Sequence, residues 1–416
     1  MVRRIGFGVE VALRSLAMPA VLGLRWAGQR GAGVPDEVPA PRRSVALAAK
    51  MAGDELFLAF ELVSAGFASL RERARIGAEL RDALSLYEAR GWLERPERFH
   101  RTPPPLASVR QRASSLGGLA YRELSFESGY EPHPEEPGRE RWLSYERNRT
   151  AHAWLLRHPG RARPWVVCVP GYRMGHPALD LLGFDAARLH RAHGLNVAIP
   201  VLPLHGPRRA GRRGGDGLLS GEFLDTVHLL AQAVWDVRRL VRWLRVSGAP
   251  AVALQGLSLG GYTAALVASL EEDLDCVIAG IPAADFARLA RWHAPALFWH
   301  LAERFGYRLE PVERLLRVVS PLAMPPRVPH ERRFLFAATA DRLAPPDHAR
   351  DLWRHWERPR MAWYHGSHLS FRLEREVERL VLEALECCGL LARGSVHRAS
   401  EARSEPQASV GRGPAA

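Results

Sequence analysis

The chain predicts an α/β fold built on a doubly wound, mostly parallel sheet, and three observations carry that prediction. From about residue 164, short apolar runs alternate with helix-compatible segments, the signature of parallel strands joined by crossover helices. The run Val252-Ala253-Leu254-Gln255-Gly256-Leu257-Ser258-Leu259-Gly260-Gly261 takes an apolar strand directly into a helix through a glycine-flanked serine. Asp341 and His368 then follow, in that order, each just past its own apolar run.

Composition bounds the rest. At 416 residues and 47% hydrophobic content the chain can bury a large globular core. The formal charge of +13 is carried almost wholly by arginine, Lys50 being the only lysine. These basic residues are scattered through helices and no reader motif accompanies them, so no nucleic-acid partner is expected. The four cysteines, Cys168, Cys276, Cys387 and Cys388, lack metal-ligand spacing. They read as buried thiols in a reducing compartment, with no metal and a cytoplasmic setting.

Along the chain, residues 1–110 form a helical N-terminal extension. Its first residues, Met1-Val2-Arg3-Arg4, lead into an apolar region interrupted by Glu10 and Arg14, which spoils a signal-peptide core or a membrane span. An amphipathic helix carrying Leu13, Leu16, Leu22 and Leu24 fits better, either packed on the rest of the protein or in peripheral contact with a membrane. Leu56, Phe60, Val63 and Phe67 recur at helical spacing, as do Leu80, Leu84 and Tyr87. Arg101-Thr102-Pro103-Pro104-Pro105 breaks the pattern.

Residues 111–392 form the catalytic domain. Extended segments at 121–126 and 151–157 flank a proline-bearing loop at 131–140 that resembles a hairpin connection. Strands are expected at 165–169, 196–201, 251–255, 276–281, 333–338 and 361–364. Residues 283–322, rich in Trp292, Phe298, Trp299, Leu301 and Phe305, follow a strand end and are a candidate helical lid. The tail at 393–416 is poor in large apolar residues and is expected to be disordered.

The chemistry follows from the glycine-flanked serine. A residue on so sharp a strand-to-helix turn projects its hydroxyl above the sheet edge, and flanking glycines let backbone approach without Cβ clashes. A serine hydroxyl is a poor nucleophile, so it needs a base and an acid that holds the base in the right tautomer. His368 and Asp341 supply these in the order serine, acid, histidine. His365 and Asp285 are the competing histidine and acid. The developing oxyanion needs fixed N–H donors: the Leu259 amide follows the nucleophile, and the loop 169–177 after the first core strand offers Tyr172, with Gly171 permitting close approach.

These residues together resemble the α/β-hydrolase superfamily of serine hydrolases over roughly residues 118–390. Pro170-Gly171 stands where His-Gly is usual in that superfamily. Gly171-Tyr172-Arg173-Met174-Gly175-His176-Pro177 and Leu202-Pro203-Leu204-His205-Gly206-Pro207-Arg208-Arg209 are similar to the abhydrolase-domain-18 group. The resemblance implies a carboxyl-ester hydrolase with catalytic Ser258, Asp341 and His368, an acyl-serine intermediate and no cofactor. Small-molecule or lipid esters are the expected substrates, with Arg173, His205 and Arg208 as candidate substrate contacts and Arg209, Arg212 and Arg213 as further entrance arginines. An acyltransferase using the same triad, or a non-catalytic ligand- or membrane-binding protein on the same fold, are the alternatives.

Overall fold

The computed structural model describes residues 36–64, 70–218, 221–293, 308–392 and 394. Nine strands among them form one sheet: β1 (Arg110–Leu116), β2 (Leu119–Glu127), β3 (Thr150–Leu156), β4 (Trp165–Val169), β5 (Asn196–Pro200), β6 (Val252–Leu257), β7 (Cys276–Gly280), β8 (Arg333–Ala338) and β9 (Arg360–Tyr364). Their spatial order is β1-β2-β3-β5-β4-β6-β7-β8-β9. Pairing is antiparallel from β1 through β3 to β5, and parallel from β5 through β4 to β9. This is the α/β-hydrolase fold.

The helices are α1 (Val45–Ser64), α2 (Leu70–Ala89), α3 (Arg139–Leu143), α4 (Pro177–Gly183), α5 (Ala186–Arg191), α6 (Phe223–Val246), α7 (Leu259–Ala268), α8 (Phe286–His293), α9 (Leu309–Leu316), α10 (Pro346–His355) and α11 (Arg375–Cys387). They cover both faces. In β4, Trp165, Val167 and Val169 pack with residues of α2, α6, α7 and α9, whereas Val166 and Cys168 face α4, α5 and α11. Double coverage is why the central strands are continuous apolar runs rather than alternating ones.

Three features depart from expectation. Strand β1 was not foreseen, because Arg110-Gln111-Arg112-Ala113-Ser114-Ser115-Leu116 contains no apolar run. It is a largely exposed edge held by its ladder with β2, and the two-residue turn between them uses Gly117 and Gly118, both at positive φ (53° and 75°). The connection between β2 and β3 is longer than a hairpin loop and contains α3.

The third departure is α1. Leu56 and Phe60, whose helical spacing marks the apolar face of the segment, are 67% and 57% exposed, while Asp54, Leu58 and Glu61 are buried. By contrast α2 does join the main core through Leu80, Ala83 and Tyr87. Within 283–322, α9 buries Val312, Leu315 and Leu316 in that same core. Residues 294–307 of the lid reading, with Phe298, Trp299, Leu301 and Phe305, lie outside the described residues, as do the amphipathic segment at 1–35 and all of the tail but Gly394. Among the described residues, no helix is long and apolar enough to cross a membrane.

Candidate active site

Strand β6 ends at Leu257 and α7 begins at Leu259, leaving Ser258 alone on the turn at φ 56° and ψ −113°. A side-chain-bearing residue rarely occupies that region, so the surroundings must hold it there. The Ser258 N–H donates to the Gly280 carbonyl at 2.9 Å, and its own carbonyl accepts the Tyr262 N–H at 2.9 Å. The glycines are required sterically. A Cβ on Gly256 would lie 2.0 Å from the Gly260 oxygen, and one on Gly260 would lie 1.9 Å from the Val169 oxygen. Helix α7 therefore starts in direct backbone contact with the end of β4.

Asp341 and His368 sit past β8 and β9 at the same carboxyl edge of the sheet. Both are buried, and Asp341 Oδ2 accepts His368 Nδ1–H at 2.7 Å. The other carboxylate oxygen accepts the Leu343 and Ala344 amides at 2.9 and 2.8 Å, which fixes its orientation. Burial opposes a charged imidazole, but the charge and hydrogen bond of Asp341, joined by the charge of Asp54, outweigh it and hold His368 above the ordinary histidine value of 6.5. Among the described residues, neither Ser258 Oγ nor His368 Nε2 has a hydrogen-bond partner. The acid–histidine link is formed; the serine–histidine link is not, and such contacts often tighten only with substrate bound.

The competitors lie elsewhere. Asp285 Oδ1 accepts the Arg288 amide at 2.9 Å at the start of α8, and its own N–H points to His348. Among the described residues, His365 has a 3.5 Å contact with Thr339 Oγ1 and no shorter side-chain hydrogen bond.

The loop after β4 lies beside the elbow, where a Cβ on Gly171 would be 3.5 Å from Ser258 Cβ. Among the described residues the Tyr172 and Leu259 amide N–H groups have no partner, and Leu259 opens α7, where the helix dipole favours negative charge.

The entrance reading of the basic residues needs correction. Arg208 is 0% exposed, bonded to the Val201 and Asn148 carbonyls and ion-paired with Asp236 at 2.8 Å. It braces the core and cannot meet substrate. His205 is also buried: its Nδ1 faces the Pro203 carbonyl at 2.8 Å, its ring meets Tyr172 edge-on, and burial lowers its pKa to about 4. It supports Tyr172 from below. The Arg173 guanidinium is already engaged by Glu61 and Asp216.

Sequence reasoning missed the acidic residues of α1. Leu47, Asp54, Leu58 and Glu61 share one helical stripe, and the structure turns it inward although Leu56 and Phe60 form the more apolar one.

No family model matches the chain. Uncharacterized protein MT2702 of Mycobacterium tuberculosis (strain CDC 1551 / Oshkosh) is 44% identical to it over 359 residues, 86% of each chain. Uncharacterized protein Rv2627c, from a second strain of that species, matches at the same identity and coverage. The chain belongs to their family. Solved structures with a similar course of chain include an acetyl xylan esterase from Paenibacillus sp. R4 (18% identity, TM-score 0.49, 73% of this chain and 94% of that one). A Mycobacterium tuberculosis puromycin-hydrolyzing peptidase aligns at 17% identity and TM-score 0.41, over 70% of this chain and 40% of that one. At these values neither carries weight for activity in this family member.

Proposed function

We propose that the chain is a serine hydrolase that cleaves carboxyl esters of small molecules or lipids through an acyl-serine intermediate. The observation that supports it most is the buried 2.7 Å Asp341–His368 hydrogen bond at the sheet edge where Ser258 occupies a strained elbow. His368 Nε2 takes the hydroxyl proton as Ser258 Oγ attacks the ester carbonyl carbon, and Asp341 stays ionised while it orients and stabilises the imidazolium. The Tyr172 and Leu259 amides receive the oxyanion. Collapse breaks the bond to the alcohol, which leaves with the proton from His368, and water then releases the acid by the same route.

The narrower likeness to the abhydrolase-domain-18 group rests on Gly171 to Pro177 and Leu202 to Arg209 alone. A cytoplasmic setting with peripheral membrane contact through the first residues belongs to the same reading, and liposome flotation tests it.

Labelling by a fluorophosphonate probe tests the nucleophile. Wild type is expected to label and to hydrolyse p-nitrophenyl esters, with both lost in a folded Ser258→Ala variant. Undiminished labelling of that variant would refute the assignment.

A further inference from the structure

Helix α1 lies against three of the loops that form the site, after β4, β8 and β9, and its buried carboxylates contact each of them. Asp54, 0% exposed, accepts the His368 N–H at 2.8 Å and the Arg342 N–H at 3.1 Å on Oδ2, and the Leu369 N–H at 3.1 Å on Oδ1. One carboxylate thus ties the residue after Asp341 to the histidine and its successor. Those two loops set the Asp341–His368 contact. Seven residues on, Glu61 accepts the Tyr172 hydroxyl at 3.1 Å and Arg173 Nε at 3.0 Å, on the opposite side of the site.

Burying a carboxylate is costly unless something compensates it. Arg342 directs its guanidinium to Glu55 at 2.7 Å, and Lys50 its ammonium to Glu374 at 2.6 Å. The charged groups that bear on Asp54 are Asp341 and His368, with the buried Tyr364 phenol alongside. Burial and then Asp341 push the Asp54 carboxyl up, while a charged His368 and the amides pull it down. Its charge is therefore most favourable when His368 is protonated, the state formed when the serine proton is taken. An apolar residue of that size would leave the Arg342, His368 and Leu369 amides without their acceptor, so the acid does more than fill space.

We propose that Asp54 is a positioning residue for this hydrolysis: through three backbone amides it locks the acid loop to the histidine loop, and its charge favours the imidazolium of His368. The inference rests on the proposed roles of Ser258, Asp341 and His368, and it makes α1 an integral part of the site.

The test uses the full chain with Asp54→Ala, Asp54→Asn and Glu61→Gln. Steady-state p-nitrophenyl ester kinetics, fluorophosphonate labelling, histidine NMR titration and amide hydrogen exchange are measured together. Losing hydrogen bonds to a charged group should lower kcat about 10- to 100-fold in Asp54→Ala with KM little changed, and speed exchange at His368, Leu369 and Arg342 by a similar factor. Asp54→Asn should move the His368 titration midpoint to lower pH; Glu61→Gln should leave it in place. If Asp54→Ala does not fold, Asp54→Asn keeps the volume and one acceptor oxygen and carries the test. A folded variant with unchanged kcat, exchange and titration midpoint would overturn the proposal while Ser258 labelling persists. Activity that survives Ser258→Ala would instead defeat the underlying hydrolase reading, and the titration and exchange would still judge what Asp54 does to His368.

Discussion

On the serine side of the site, Ser258 is held by backbone pressed against backbone: α7 meets the end of β4 with no room for a Cβ at Gly260, and two main-chain hydrogen bonds fix the turn. On the acid–histidine side, carboxylates do the holding, with Asp341 and Asp54 between them accepting five amides and one imidazole N–H. The first arrangement should fail when an atom is added, the second when an acceptor or a charge is removed. Stability and turnover are thereby separable by mutation, since one side is steric and the other electrostatic.

The sharpest break of that comparison is Asp341→Asn. It keeps the volume but removes the charge, and with its one oxygen held by the Leu343 and Ala344 amides it turns an NH2 toward His368 Nδ1, which imposes the wrong tautomer, so kcat should fall by about 10⁴-fold. The melting temperature should change far less than turnover does. A loss under about tenfold in steady-state kinetics would show that the polar side does not set the base.

Gly260→Ala tests the steric side. Alanine is favoured over glycine within a helix by about 1 kcal/mol, yet its Cβ would meet the Val169 oxygen at 1.9 Å, and backbone cannot swing aside as a side chain can. The clash should win, with a net loss of about 3 kcal/mol or more in denaturant unfolding. Unchanged stability would mean that the elbow is looser than its contacts imply.

The smallest effect is on pH. The proposed hydrolysis needs neutral His368, whose pKa Asp341 and Asp54 hold above 6.5, so kcat/KM should decline as pH falls through a value above 6.5. An acidic limb below 6.5 would remove the electrostatic half of the comparison.

How much of this was legible in the sequence varied with the force involved. Strands β4 to β8 could be read because apolar runs buried on both faces are written into the residues themselves, as in Trp165 to Val169. The order serine, acid, histidine was visible because each residue directly follows such a run. Strand β1 was not, since its stability comes from pairing with β2 rather than from its own polar side chains. Arg208 read as an entrance residue because nothing local announces Asp236, 28 positions on, as its buried partner.

The sequence by itself determined the class of fold, the strand-to-helix turn at Ser258 and the glycines that turn demands, because these depend on neighbours along the chain. Only the tertiary structure decided which face of α1 turns inward. Leu56 and Phe60 form the more apolar stripe, yet Asp54 and Glu61 are the residues enclosed. Their partners, the amides of Arg342, His368 and Leu369 and the side chains of Tyr172 and Arg173, lie more than 100 residues away. A buried donor left without an acceptor is costly, and that requirement exists only once distant loops have been brought together.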